Sequence, residues 1–439
     1  MPKEQEKGPK VVVIGGGLGG LVAAIYAARL GCKVTVLEKS QSLGGRARTD
    51  EKNGFYTNLG PHALYRGGPG MKILRELGVD PAGGTPRSSG QYAVRSGAKH
   101  TFPSGMLSML ITGLFDLPAK LEAARLLASF TRISGSDAMG LTCREWADRE
   151  ITHRDVREFI LAVFRLATYA NAPDMFSAGV AIEQVKMAVR DNVLYIDEGW
   201  QSMVDSLSAE ADRAGVMIRK GAKCVAVERD GGGPVSAIRL DSGETIPAER
   251  VIVAATPQAV LDLVEPSGSS WLKRSVETMI PVRAACLDVA VSTLPRHNAT
   301  FALGIDAPLY FSVHSASARL APDGEAMIHL GKYLAPGDSG SGTAEAELES
   351  LLELIQPGWR TEVVFKRFLP ELTVYNAIPA ARSGGLAGRP GPEVPDVPGL
   401  FIAGDWVGSE GLLADATLAS AKAAAEMACT QRIQAAATV

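Results

Sequence analysis

Excess charge of either sign is missing from this chain of 439 residues, in which 45 Lys and Arg stand against 48 Asp and Glu for a net charge of −3. Without a basic excess, nucleic acid is not an expected partner. Cysteine is scarce and scattered: Cys32, Cys143, Cys224, Cys286 and Cys429 form no C-x-x-C pair. They read as small core residues in a reducing compartment, with no disulfide framework and no zinc site. The six histidines, His62, His100, His153, His297, His314 and His329, show neither H-x-x-x-H nor His/Cys spacing, so no metal is expected. The absence of a G-x-S-x-G elbow removes the Ser-His-Asp hydrolase. No stretch of about 20 uncharged apolar residues is available to span a bilayer. The first ten residues are polar and charged and lack the apolar core of a signal peptide, which sets the expectation of a cytoplasmic location.

What the chain does contain is concentrated in Val11-Val12-Val13-Ile14-Gly15-Gly16-Gly17-Leu18-Gly19-Gly20. Four β-branched residues predict a central parallel strand, apolar on both faces. Gly15, Gly17 and Gly20 then match G-x-G-x-x-G, whose glycines serve a tight turn, close approach of backbone to a pyrophosphate, and close helix packing. The Ala-rich segment Leu21 to Leu30 predicts a helix whose N-terminal amides and dipole face phosphate, and Gly31 stops it. A second strand, Lys33 to Leu37, ends at Glu38, 18 positions past Gly20, where an acid bonds a ribose hydroxyl. Together these features predict a dinucleotide site. At 439 residues, with 46% hydrophobic and 21% charged residues, the chain reads as globular and exceeds one core, so two interleaved domains are expected.

After Glu38-Lys39-Ser40 the chain does not enter another βαβ crossover but continues Leu43-Gly44-Gly45-Arg46-Ala47-Arg48-Thr49, and later Leu59-Gly60-Pro61-His62. A Gly-Gly-Arg turn brings amides and a guanidinium to a second side of a diphosphate. Glu38 through Thr49 resembles the E-x-x-x-x-x-G-G-R-x-x-T signature of the flavin-dependent amine oxidase, phytoene desaturase and protoporphyrinogen oxidase superfamily. Gly399-Leu400-Phe401-Ile402-Ala403-Gly404-Asp405-Trp406 resembles that family's late strand and Gly-Asp turn. The resemblance implies an α/β architecture: a Rossmann-type FAD-binding domain with a parallel sheet, plus an interleaved α+β substrate domain. It also implies FAD held by Gly15, Gly17, Leu18, Gly19, Gly20, Glu38, Lys39, Gly45, Arg46, Gly60, Pro61, His62, Gly404, Asp405, Gly411, Leu412 and Leu413, with a main-chain group near Cys224 touching adenine. Because Gly399 to Ala428 holds no cysteine, the flavin is expected to be non-covalent.

The cofactor domain is expected from residues 11–79, 199–269 and 388–439, behind a flexible tail at 1–10; residues 80–198 and 270–387 are expected to form the substrate domain. The first insert opens with a hairpin, Gln91 to Val94 and Lys99 to Phe102 about a Ser96-Gly97 turn. Helices are predicted over Leu117 to Ile133, Thr142 to Glu150, Arg154 to Tyr169 and Ser177 to Val189. The second insert carries strands at Arg283 to Val291, Ala326 to Leu330 and Thr361 to Arg367, and a helix at Ala344 to Ile355. Phe102 to Phe115 is fourteen residues without charge, too short to span a bilayer. A packed first helix is favoured there over an interfacial segment admitting a lipophilic substrate.

Many amine oxidases of the superfamily carry a lysine near flavin on a substrate-domain strand. Ala284 to Val291 has none, and Lys332 reads as a solvated charge. The look of Gly404 to Gly408 and of Asn376-Ala377-Ile378-Pro379 is closer to phytoene-desaturase-like proteins. The expectation is therefore an FAD-dependent oxidoreductase dehydrogenating a small apolar, isoprenoid-like substrate by hydride transfer to flavin N5. The alternatives are an amine or protoporphyrinogen oxidase using oxygen and releasing peroxide, and a flavin-holding sensor without turnover. His62 is the one catalytic candidate, and a histidine bonding only backbone is the simpler reading. The helix opening at Gly411-Leu412-Leu413 is expected to stabilise anionic reduced flavin, with Asp415 partly opposing it and proline tolerated at Leu413.

Overall fold

The computed structural model describes residues 8–264, 268–340 and 342–430. Its first sheet has five parallel strands in the spatial order Met217–Lys220, Lys33–Glu38, Lys10–Ile14, Arg250–Val253, Leu400–Ile402. Val11, Val12 and Val13 are at most 2% exposed, as the two-faced apolar pattern requires. The helix after the glycine turn runs Leu18–Arg29 and lies against the last helix, Leu413–Thr430, and the helix Gln201–Arg213. Alanines make that approach close: Ala23, Ala24 and Ala27 on one helix and Ala421, Ala424, Ala425 and Ala428 on the other are fully buried. A three-stranded antiparallel meander, Cys224–Arg229, Val235–Leu240 and Thr245–Pro247, covers the opposite face.

The second sheet has seven strands in the order Val363–Tyr375, Val282–Val291, Ala326–Leu334, Leu309–Val313, Phe301–Gly304, Gln91–Arg95, Ala98–Thr101. The hairpin about Ser96-Gly97 therefore joins a sheet whose other strands lie some 200 residues later in the chain, through parallel pairing of Gln91–Arg95 with Phe301–Gly304. The helices Leu117–Ser129, Cys143–Glu150, Arg154–Thr168 and Ala178–Asp191 close over one side. Register places Arg367, Asp288 and His329 side by side across three neighbouring strands.

Four expectations need correction. Cys32 and Cys429, 397 residues apart, are joined in a disulfide that ties the end of the first helix to the end of the last. The last helix begins at Leu413 rather than Gly411, and Leu413 itself has φ +56°. Proline, fixed near φ −65°, does not fit that position. The strand expected at Thr361 to Arg367 is longer and begins later, Val363–Tyr375, after a 3₁₀ turn at Trp359–Glu362. Within Phe102 to Phe115 only Met106–Ile111 is helical, and it packs by one face alone: Met109 is buried, but Met106, Leu107, Leu110 and Ile111 are 63–85% exposed.

Candidate functional site

The glycine turn is shaped to receive an anion. Gly15 has φ +109°, and a Cβ there would sit 2.5 Å from the Ala254 carbonyl oxygen. A Cβ on Gly20 would sit 1.8 Å from the Gly15 carbonyl oxygen, so helix and strand meet at van der Waals contact. Gly17 differs: a Cβ there would meet nothing closer than 3.5 Å. Its backbone faces Gly44 across an isolated bridge. The first helix has no side-chain cap and no acid in its first turn, which leaves its N-terminal amides and dipole for an outside anion.

Glu38 ends the second strand at 8% exposure and accepts the Gly16 amide at 2.7 Å and the Ser40 amide at 2.8 Å. Its carboxylate thus already braces the glycine turn, and its remaining lone pairs are what a ribose hydroxyl would meet. Cys224 opens the meander beside it. The Ala222 amide donates to the Glu38 carbonyl at 2.8 Å, and burial followed by the charges of Asp241 and Glu38 pushes the Cys224 thiol up to about 12. Lys39 is exposed at the strand end.

The two signatures at opposite ends of the chain touch. Gly45–Ala47 forms a 3₁₀ turn that aims Arg46 at Asp405, Nη2 to Oδ2 2.5 Å, while Arg46 Nη1 donates to the Val374 carbonyl at 3.1 Å. Asp405, 1% exposed, also accepts from the Asn376 amide at 3.0 Å and its Nδ2 at 2.9 Å. Gly404 is fixed by Ser420, whose hydroxyl accepts its amide at 3.0 Å. Past this turn Gly411 has φ +73° and Leu412 is buried. A bulky residue such as Leu413 in the left-handed region is strained, and such strain concentrates at functional sites.

Gly60, at φ +82°, lies close to Cys286 and Leu372, so the Gly60-Pro61-His62 turn packs against the second sheet. His62 Nδ1 is 2.9 Å from the Gly60 carbonyl, its ring meets Trp200 edge-on at 4.7 Å, and burial lowers its pKa.

Beyond that turn lies a cluster that sequence spacing could not reveal. His329 Nδ1 is 2.7 Å from Asp288 Oδ1, both side chains being fully buried, and Arg367 reaches Asp288 Oδ2 from the next strand at 2.6 Å. Arg367 also donates to the Asn58 carbonyl, which pins the loop leading to His62. Burial pushes the Asp288 carboxyl up, but the His329 bond and the His329 and Arg367 charges outweigh it and hold it below its ordinary range. His314 stacks on Tyr195 with centroids 3.7 Å apart, lies 4.6 Å from the His329 ring, and meets the Tyr310 hydroxyl at 3.2 Å. Burial takes its pKa well below the ordinary value, so it is neutral. Two of the six histidines, His314 and His329, thus meet here, brought together by neighbouring strands rather than by chain spacing. From Tyr310 the rings continue to Tyr333 at a centroid distance of 6.4 Å, and from Tyr333 to Tyr169 at 6.3 Å. Among the described residues, His314 Nδ1, His329 Nε2 and the Tyr333 hydroxyl have no hydrogen-bond partner.

Lys332 is no part of this cluster: it pairs with Glu347 at 2.7 Å. Cys286, whose thiol burial pushes upward, occupies the strand facing Gly60. Among the described residues no group of three His, Cys, Asp or Glu side chains is arranged to hold a metal ion, and no helix is long and apolar enough to cross a membrane.

Comparison with known proteins agrees with this geometry. Hydroxyneurosporene desaturase of Cereibacter sphaeroides is 27% identical over 296 residues, 58% of this chain and 57% of that protein. Coproporphyrinogen III oxidase of Bacillus subtilis is 22% identical over 308 residues, 62% of this chain and 65% of that protein. The chain thus spans less than two thirds of the length of either relative. Among solved structures, an oxidoreductase from Methanosarcina mazei superposes with a TM-score of 0.74 at 21% identity, over 95% of this chain and all of that one, which speaks to the fold. Residues 18–428 match the family described as flavin containing amine oxidoreductase, and the chain belongs to that family.

Proposed function

We propose that the protein is an FAD-dependent oxidoreductase that dehydrogenates a neutral, lipophilic substrate of the isoprenoid kind. The residues present suit FAD. The open space at Gly17, the uncapped first helix and the Gly45-Arg46 turn would hold the diphosphate. Glu38 would hold a ribose, and the strained turn at Gly411-Leu412-Leu413 would meet the flavin ring. Non-covalent attachment is supported by the lack of cysteine between Gly399 and Ala428. FAD, when bound, supplies a hydride acceptor at N5.

The observation that carries the substrate class is the chemistry of the buried cluster facing the Gly60-Pro61-His62 turn. Its rings are Tyr195, Tyr310 and Tyr333, and its carboxylate, Asp288, is already paired with both His329 and Arg367. A cationic amine would find no free counter-ion at Asp288, whereas an uncharged hydrocarbon loses nothing on entering among rings. Desaturation releases a hydride from one carbon and a proton from its neighbour, leaving a double bond between them. The acceptor we assign to that proton is His62, half-buried in the Gly60-Pro61-His62 turn. Anaerobic mixing with polyene, porphyrinogen and amine candidates tests the assignment. Loss of oxidised-flavin absorbance with a polyene alone is expected, and bleaching by an amine alone would refute it.

Porphyrinogen oxidation is the second reading, favoured by flat tyrosine and histidine rings suited to a tetrapyrrole and by the likeness to coproporphyrinogen III oxidase. Under this reading, aerobic turnover of a porphyrinogen would release hydrogen peroxide.

A further inference from the structure

Eleven large apolar side chains are exposed among the described residues, and seven of them lie between positions 106 and 127. They come from two neighbouring helices, Met106–Ile111 and Leu117–Ser129. On the first, positions i, i+1, i+4 and i+5 share one face, so Met106, Leu107, Leu110 and Ile111 point outward together while Met109 is buried. On the second, Leu117 and Leu121 stand one turn apart at 71% and 63% exposure, with Ala119 and Ala123 turned inward. The inner side is firmly anchored. The Thr112 hydroxyl donates to the Thr101 carbonyl at 2.7 Å, and Leu114 and Phe115 are buried, so the outer face is a fixed surface rather than a frayed end.

We propose that this face docks the protein on a lipid bilayer carrying anionic headgroups. Six such side chains at these exposures offer on the order of several hundred Å² of contiguous apolar surface, at or beyond the largest patch of an ordinary monomer. The residues are all aliphatic or thioether. The Tyr and Trp anchors that mark the centre of a protein interface are missing from the exposed face, which favours lipid over a second protein. Charge agrees. Lys120, Arg125 and Arg132 pair with no carboxylate among the described residues; Lys120 donates to the Leu110 carbonyl at 2.7 Å, between the two apolar rows, and Arg132 to the Ala128 carbonyl at 3.4 Å. The nearby acids are engaged by main-chain amides: Asp116, itself exposed, accepts the Ala119 amide at 2.9 Å, and Glu122 accepts the amides of Thr152 and His153, both at 2.8 Å. An apolar helical face rimmed by cations without carboxylate partners lies in the headgroup boundary, its chains inserted by one helix radius. Behind the patch, Phe102 touches Phe301 at 5.7 Å and Phe301 touches Tyr310 at 5.9 Å, a run of rings leading toward the histidine cluster.

Co-sedimentation with vesicles tests the proposal and requires no substrate, so it stands or fails apart from the assignment of the reaction. The full-length, flavin-loaded protein is mixed with vesicles of phosphatidylcholine alone or with phosphatidylglycerol added. Binding to the anionic vesicles is expected, weaker on the neutral ones and weakened by salt. The double variant Leu107→Glu, Leu110→Glu should lose on the order of hundredfold in partitioning. Its flavin absorbance and melting temperature should match the parent's, because both side chains are exposed. Failure of the parent to bind either vesicle, or equal binding by the variant, overturns the proposal. So does light scattering that shows a parent dimer abolished by the same substitutions in the absence of vesicle binding, which would assign the face to a second copy of the chain.

Discussion

Replacing Asp415 by Asn should stabilise the protein progressively, relative to the parent, as pH rises. Asp415 lies in the first turn of the last helix at 2% exposure; Oδ1 accepts the Gly70 amide at 2.9 Å, and Oδ2 has no partner among the described residues. Burial raises its pKa from the ordinary 3.8 to about 7. Between these values the unfolded chain has lost the proton and the folded chain keeps it. The folded state then binds more protons, so this residue's contribution to stability falls as pH rises from about 4 to about 7 and stays low above. At ~1.4 kcal/mol per pH unit, the full cost is about 4 kcal/mol. Asn keeps the acceptor for Gly70 and does not titrate, but strands an amide donor at a pH-independent cost of about 1–3 kcal/mol. The stability difference between variant and parent should therefore move by roughly 3–4 kcal/mol in the variant's favour from pH 4 to pH 8.5. Urea unfolding of both proteins across that range, with free FAD held at one excess concentration, reads it directly. A difference that stays flat with pH would refute the reasoning. The same burial revises the expectation that Asp415 opposes negative charge at the helix start: below about pH 7 it is neutral.

Acid precipitation should leave FAD in the supernatant, since Gly399 to Ala428 offers no cysteine for attachment; colour held in the pellet, or FMN in solution, would contradict this. Glu38→Ala should weaken FAD binding ten- to hundredfold, about 1.5–3 kcal/mol for charge-assisted bonds. Because Glu38 also holds the Gly16 and Ser40 amides, a lower melting temperature should accompany that loss; unchanged flavin retention in a dialysis titration would rule out the ribose contact. Gly17→Val should fold and fail to bind FAD, its new side chain filling open space, whereas Gly20→Ala should lose stability first, its Cβ falling 1.8 Å from the Gly15 carbonyl oxygen. Circular dichroism melts beside flavin content separate these two outcomes. The bound flavin's midpoint potential should fall by about 30 mV per pH unit near pH 7, the slope of one proton per two electrons. A slope of about twice that would remove the anion-stabilising role from the turn at Gly411.

Local order fixed the cofactor half of this protein. The strand at Val11, the glycine turn, the Ala-rich helix and Glu38 are consecutive in sequence, so their geometry follows from strand burial, glycine torsions and helix dipole acting within about 30 residues. The hairpin at Ser96-Gly97 was legible for the same reason, both of its turn residues having positive φ. Long-range relations were not legible. Arg46 meets Asp405, Cys32 meets Cys429, and Asp288 meets His329 and Arg367 because five strands from separate stretches enter one sheet and seven enter another. Register decides which side chains stand opposite one another, and a shift of one residue would have turned His329 to the other face. Exposure was equally a tertiary matter. Fourteen uncharged residues from Phe102 read as core by composition, yet the helices beneath already bury Met109, Leu114 and Phe115 and leave no second layer to cover Leu107 and Leu110. Hydrophobicity states what a segment gains by burial, and only the surrounding packing determines whether burial is available.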